Sequence, residues 1–399
     1  MFDCVVIGGG AAGVFAAIWA KKKKPSAQVL LVEKSSSLLT KVLCTGGGRC
    51  NLTNACFDRK ELVSHYPRGA RELLGPFSRF GPREMIEWIE SRGVSLKTEE
   101  GGRVFPASDQ SKTIVDLLKK ELEENGVEVC FGVDIETIVF SNDLYRLGPD
   151  LQAKAVIIAT GSSLDGYRWA QSLGHTVIDP VPSLFALQLE NNPLRSLMGC
   201  SCSSARVSIG TFVQEGPLLM THFGLSGPAV LKLSSMAARY LHERNYCATI
   251  TINWLPDVTK QEVVEALFRT KERAFQKLFE THNPFSFSRK LWSFFGERKK
   301  WGEFSHKQLR SIAEKLTSDR YTVVGRSLHK EEFVTCGGVN LKEVDFRTMQ
   351  SKISPNLYFA GEVLDIDGLT GGFNLQSAWT TGYIAGSSSV SSRTQKTQR

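Results

Sequence analysis

Gly8, Gly10 and Gly13, followed twenty residues later by Glu33, have the types and spacing that hold a dinucleotide. Gly8 permits a tight turn out of a strand, Gly10 lets the backbone approach a pyrophosphate, and Gly13 lets a helix pack closely on that strand. A helix N-terminus at this point offers free amides and the positive end of its dipole to phosphate oxygens. Glu33 supplies a carboxylate that accepts both hydroxyls of an adenosine ribose and repels a 2′-phosphate.

Three elements must position these residues. Cys4 to Ile7 is a short apolar run expected to be a buried parallel strand, Val14 to Lys23 is helical, and Val29 to Val32 is a second strand ending at Glu33. A glycine-rich turn can be purely structural. Strand, helix, second strand and terminal acid in one register argue for the binding role.

Two further stretches carry chemistry. Thr45 to Asn54 contains Gly46-Gly47-Gly48, which suits a loop whose backbone touches something flat or charged, with Arg49 and Asn51 as neighbouring donors. A plain surface turn is the alternative. Near the other end, Leu357 to Glu362 is a buried strand that leads through Asp365 to Gly371-Gly372-Phe373-Asn374-Leu375 and a last helix ending near Gly386. This is a second helix N-terminus preceded by glycines. Its dipole would stabilise the negative charge that the pyrimidine end of a flavin gains on reduction.

The 399 residues suggest two or three domains, and 42% apolar with 23% charged residues describe a globular chain. No run reads as a membrane span or a signal peptide. Nine cysteines without a short-loop framework argue for free thiols in a reducing compartment, so a cytoplasmic location is expected. A net charge of +8 alone does not identify a partner.

The expected fold class is α/β. The dinucleotide-binding stretches lie at the two ends of the chain (residues 1–183 and 346–390) and flank a discontinuous insertion. That insertion comprises a β-rich, barrel-like module (184–255 and 326–345) and a small helical module (256–325). Glu332 to Leu341 is expected to return to strand, and the polar tail 391–399 to be disordered. Val127 to Phe131, a meander over 135–147 and the run Ala153 to Gly161 lack a crossover helix between them, which predicts an antiparallel extension of the sheet.

Together the N-terminal fingerprint, Gly46-Gly47-Gly48-Arg49-Cys50-Asn51, and the closing Tyr358-Phe359-Ala360-Gly361-Glu362-Val363-Leu364-Asp365 and Gly371 to Trp379 segments resemble the BaiN-like family of bacterial flavoproteins. Its members are described as NAD(P)/FAD-dependent oxidoreductases or aminoacetone oxidase-like proteins. Thr221 to Pro228 and Thr335 to Val339 are similar to its inner motifs. The resemblance implies a two-part Rossmann-like FAD-binding domain over 1–183 and 346–390, non-covalent FAD, and hydride transfer between the flavin and a small organic substrate. No second GxGxxG follows a strand, so a dedicated nicotinamide-binding domain is not expected; NAD(P)H would bind transiently over the flavin, or another donor would serve. It also implies residue roles. Gly8, Gly10 and Gly13 would hold the pyrophosphate and Glu33 the ribose, Gly47, Gly48, Arg49, Cys50 and Asn51 would run along the flavin, and Val133 would meet adenine through its backbone. Thr160 and Gly161 would close the site, and Glu362, Asp365, Gly372, Asn374 and Leu375 would hold the ribityl and ring end. Ala11, Ala12, Lys34, Lys41, Gly361 and Phe373 complete the expected cofactor set.

His222, in Thr221-His222-Phe223-Gly224, is the candidate proton partner for flavin chemistry, with a structural anchoring role as the alternative. Two other activities compete. Cys44 and Cys50 stand where a disulfide reductase needs a redox pair, but three glycines separate them and spoil the geometry. Arg289 to Trp301 mixes basic and aromatic residues as an RNA surface would, but a helix with an apolar face of Leu291, Phe294 and Phe295 and a solvated basic face is the favoured explanation. A nucleic-acid partner is therefore not expected. No His/Cys/Asp cluster has ligand spacing, so no metal is expected, and the sequence does not fix the oligomeric state.

Overall fold

A computed structural model describes residues 1–296, 299–327 and 334–391. The chain divides into two compact units, residues 1–181 with 334–399, and 182–333. In the first unit the apolar run Phe2–Ile7 (β1) lies at the centre of a sheet because every neighbour it needs is apolar too. It pairs in parallel with Val29–Glu33 (β2) on one side and Leu151–Ile158 on the other, with Val5 opposite both Leu30 and Val156. Leu357–Phe359 and Glu128–Phe131 extend the parallel sheet in the two directions.

The expected antiparallel extension is corrected in part. Ile138–Ser141 and Leu144–Leu147 form an antiparallel meander, but Glu128–Phe131 is a parallel edge strand and Leu151–Ile158 a central one parallel to β1. The meander replaces a crossover helix, carrying the chain from the Glu128–Phe131 edge to the far side of β1.

Helix α1 (Ala11–Lys23) and the last helix, Phe373–Ser389, are apolar on most sides and mostly buried. They lie close together. A Cβ on Gly382 would fall 2.5 Å from the Ala12 carbonyl oxygen, and one on Gly386 would fall 2.1 Å from that of Ala16. The two ends of the chain are thereby packed into a single core.

The second unit has its own core. Six strands close a barrel in the order Leu187–Leu189, Gly224–Ser226, Phe212–Met220, Ser201–Ile209, Ala248–Asn253 and Asp319–Arg326. Lys260–Arg273, Arg289–Phe295 and His306–Ser318 form the helical part, the first of them started by a capping box between Thr259 and Glu262.

Two boundaries differ from expectation. Asp319–Arg326 is a barrel strand, so the helical part ends at Ser318 rather than at 325. Residues 334–345 belong to the first unit: Val334–Val339 pairs with Val177–Ser183, and Val344–Asp345 joins the large sheet. The expected disorder at 392–399 and the strand at 332–333 lie outside the described residues.

Candidate functional site

The first unit gathers all three chemistry-bearing stretches. Gly8 sits at φ +106°, and a Cβ there would fall 2.6 Å from the Ala159 carbonyl oxygen. A Cβ on Gly13 would fall 1.9 Å from the Gly8 oxygen. Strand packing therefore accounts for both glycines. Gly10 differs: its φ of −81° suits any residue, and a Cβ would meet nothing within 4 Å. No side chain caps α1, whose first turn contains half-buried Ala11 and buried Ala12. Free amides beside open space form a cradle of the kind a pyrophosphate fills.

Glu33 stands at the end of β2, where the strand register carries it beside the glycine turn. Its Oε2 accepts the Gly9 amide at 2.6 Å, and Oε1 accepts that of Ser35 at 2.8 Å. A carboxylate has about four acceptor positions, so capacity remains for ribose hydroxyls. The Val133 amide donates to the Glu33 carbonyl at 3.2 Å, which places the expected adenine-side residue here too. Exposed Lys34 pairs with Asp134 at 3.0 Å and Asp165 at 3.5 Å.

Gly46, Gly47 and Gly48 all have positive φ, ending the helical turn begun at Thr40. Space around Gly47 and Gly48 is open to 4 Å. The chain then crosses directly to the last helix. The Trp379 indole donates to the Leu52 carbonyl at 3.0 Å, the Thr53 hydroxyl to Gln376 Oε1 at 2.6 Å, and Asn54 Nδ2 to the Gly371 carbonyl at 3.0 Å. A Cβ on Gly372, the N-cap, would fall 3.0 Å from Asn51 Oδ1. Gly361 reaches α1 itself, since its Cβ would fall 2.7 Å from the Ala12 Cβ.

Lys41 Nζ meets Glu362 Oε2 at 3.0 Å, and Glu362 Oε1 accepts the Thr335 amide at 2.9 Å. Gly161 lies beside the same carboxylate, since a Cβ added there would fall 3.6 Å from Glu362 Oε2. Thr160 Oγ1 is buried with no hydrogen-bond partner among the described residues, and it lies against Gly166, where an added Cβ would fall 2.0 Å from it. The Asp365 amide donates to the Val339 carbonyl at 3.2 Å, and Leu375 is half-buried on the first turn of the last helix. These residues fit a dinucleotide: two glycine-preceded helix starts and a ribose-competent acid share one unit.

Several of the expected residues also have protein partners or surroundings of their own. The Arg49 guanidinium donates to Glu99 at 2.7 Å and Asp109 at 3.3 Å, and lies 4.1 Å from the centre of the Phe105 ring. Its donors fix the loop instead of standing free beside it. Asn374 clasps Gly368, accepting its amide and donating to its carbonyl, both at 2.8 Å. Cys50 is buried, which pushes its thiol up to about 12, whereas Cys44 is exposed. A thiol protonated at neutral pH is a poor redox partner.

Some neighbours carry no sequence signal of their own. Arg68 forms an ion pair with fully buried Asp367. His65 stacks on Phe373 at 4.2 Å, and the Tyr66 hydroxyl donates to the Phe373 carbonyl at 2.6 Å. Among the described residues, one donor atom each from Cys56, Glu61 and His65 lie within 4.8 Å of one another, a grouping their sequence spacing does not suggest.

In the second unit His222 is exposed, with its ring 4.9 Å from that of Phe223. Its carbonyl accepts from Asn192 Nδ2 at 2.9 Å. In the 289–301 segment Leu291, Trp292, Phe295 and Trp301 are buried in the second core. Phe294 is half-buried against the same core, so the described aromatics of this segment serve packing.

No helix among the described residues is long and apolar enough to cross a membrane. The family described as HI0933-like protein Rossmann domain matches residues 2–388. The chain is 31% identical to a 3-dehydro-bile acid delta(4,6)-reductase of Clostridium scindens, covering 96% of this chain and 97% of that protein. It is 28% identical to a ribosomal RNA dihydrouridine synthase of Escherichia coli, covering 96% of each. A solved 3-ketosteroid delta1-dehydrogenase of Sterolibacterium denitrificans shares the fold, with a TM-score of 0.51, 13% identity, and coverage of 98% of this chain and 99% of that one. From residue 2 to residue 388, this chain belongs to the HI0933-like Rossmann family.

Proposed function

We propose that this FAD-dependent oxidoreductase reduces a carbon–carbon double bond conjugated to a carbonyl, in a small organic substrate, with NAD(P)H as a transient donor. The observation that carries the cofactor assignment is the convergence of the glycine turn, the Gly46-Gly47-Gly48 loop and the Gly372 helix start in one unit, with open space at Gly10, Gly47 and Gly48. When bound there, FAD supplies the two-electron chemistry of hydride transfer.

The chain's own residues supply the rest. The α1 amides neutralise pyrophosphate charge, and Glu33 fixes the ribose. The N-terminal end of the last helix stabilises negative charge beside it. Reduction of a conjugated double bond also needs a proton, and we assign that donor role to exposed His222.

The choice of reaction rests on chemistry shared by the two named relatives. A delta(4,6)-reductase acts on double bonds conjugated to a ketone. A dihydrouridine synthase saturates the uracil bond conjugated to its carbonyl. A uracil base in RNA is thus the second candidate substrate here. Residues 182–333 contain 21 of the 49 Lys and Arg and 14 of the 41 Asp and Glu, so +7 of the net +8 resides there, a bias that suits a polyanion.

Product analysis separates the two. FAD-loaded protein with NAD(P)H is offered a 3-oxo-4,6-diene steroid and, separately, rRNA lacking dihydrouridine. Saturated steroid supports the small-molecule substrate, dihydrouridine supports RNA, and neither product from an enzyme that oxidises NAD(P)H refutes both.

A further inference from the structure

We propose that Cys56, Glu61 and His65 form a binding site for a divalent transition metal of the zinc class, distinct in its ligands from the dinucleotide site. The three donors are a thiol, a carboxylate and an imidazole, and the chosen atoms all lie within 4.8 Å of one another. In tetrahedral coordination with bonds of about 2.0–2.3 Å, donors stand roughly 3.5 Å apart. Closing the remaining gap takes about 1 Å of side-chain movement.

Local structure explains the convergence. Arg59–Ser64 is a short helix, Asp58 caps it by accepting the Glu61 amide at 2.8 Å, and His65 is its C-cap. Glu61 and His65 are four residues apart and so share a face. Cys56 enters from the segment before the cap, its Sγ 3.8 Å from the Asp58 carbonyl oxygen. Asp58 is occupied by the cap, which leaves Cys56, Glu61 and His65 as the ligand set. The imidazole is already oriented by its stack on Phe373, the first residue of the last helix.

The chemistry favours a borderline cation over calcium or magnesium. One sulfur, one nitrogen and one oxygen donor match zinc or cobalt, and three protein ligands leave a fourth position for water. On binding, such a cation would take the Cys56 sulfur as thiolate and release its proton to water.

The test uses full-length, FAD-loaded protein and cobalt(II) alone as probe. Tetrahedral thiolate coordination gives intense d–d bands at wavelengths where oxidised flavin does not absorb. Those bands should saturate at one cobalt per chain, be displaced by zinc(II), and disappear in Cys56→Ser and His65→Gln. Exposed Cys44 and Cys247 are the controls: Cys44→Ser and Cys247→Ser should leave the spectrum unchanged. If the Cys56 and His65 variants do not fold, thiol counting on wild-type protein decides, because zinc(II) should remove one reactive thiol and mass mapping should assign it to Cys56. No tetrahedral bands, bands that survive Cys56→Ser, or protection of a different thiol would overturn the site.

Discussion

Glu33 Oε2 accepts the Gly9 amide at 2.6 Å, so the acid that ends β2 also holds the glycine turn that ends β1. Glu33→Ala removes this acceptor and the one serving Ser35. FAD affinity should weaken by about 1–3 kcal/mol, and the apo-protein should lose stability as well. Glu33→Gln keeps one acceptor and should fall between. Fluorescence titration with FAD and thermal unfolding of the apo-protein read the two effects. Unchanged affinity in Glu33→Ala would remove the ribose role.

Asp367 is fully buried against Arg68. Asp367→Ala leaves a guanidinium in a largely buried place and should cost about 3–5 kcal/mol. The double replacement Arg68→Met with Asp367→Leu should cost far less than the sum of the two single changes. Urea unfolding of all three variants measures this, and simple additivity would argue that the pair is not a coupled unit.

His175 is buried between Glu343, at 3.1 Å, and Ser351, at 2.7 Å. Burial lowers its pKa below the ordinary 6.5, against the opposing pull of Glu343. Folding therefore disfavours the imidazolium. The stability tied to neutral His175 is present above the unfolded pKa and is lost as the pH falls below it. Wild-type Tm should drop more between about pH 7 and pH 5 than that of His175→Gln. Parallel profiles would contradict this.

His222→Gln should keep its FAD and its Tm but lose about ten-fold or more in turnover of an identified substrate. Wild-type turnover would reduce His222 to an anchor of its loop, and loss of folding would assign it a structural role.

The sequence makes the dinucleotide half plain for a physical reason. Gly8, Gly13 and Glu33 answer local constraints of one strand–turn–helix–strand unit, and such constraints are written in consecutive residues. Arg49 and Asn374 have side-chain partners that the sequence does not show. Their side chains are claimed by Glu99, Asp109 and Gly368, and residue type alone does not say where a donor points. The central position of Leu151–Ile158 is obscured because a meander stands where a crossover helix is expected. The Arg68–Asp367 pair spans 299 residues, a separation that no local pattern reports. Cys56, Glu61 and His65 are overlooked because their spacing matches no familiar ligand motif.

The most direct test of the central claim, that the glycine turn at α1 is a cofactor cradle, is the FAD affinity of Gly10→Val. No protein atom lies within 4 Å of the added Cβ, and φ at this position is −81°, so the apo-protein should unfold within about 0.5 kcal/mol of wild type. Its FAD affinity should nevertheless fall by more than about ten-fold, because the side chain occupies the path of the pyrophosphate. An apo-protein of normal stability that still binds FAD as tightly as wild type would contradict the account.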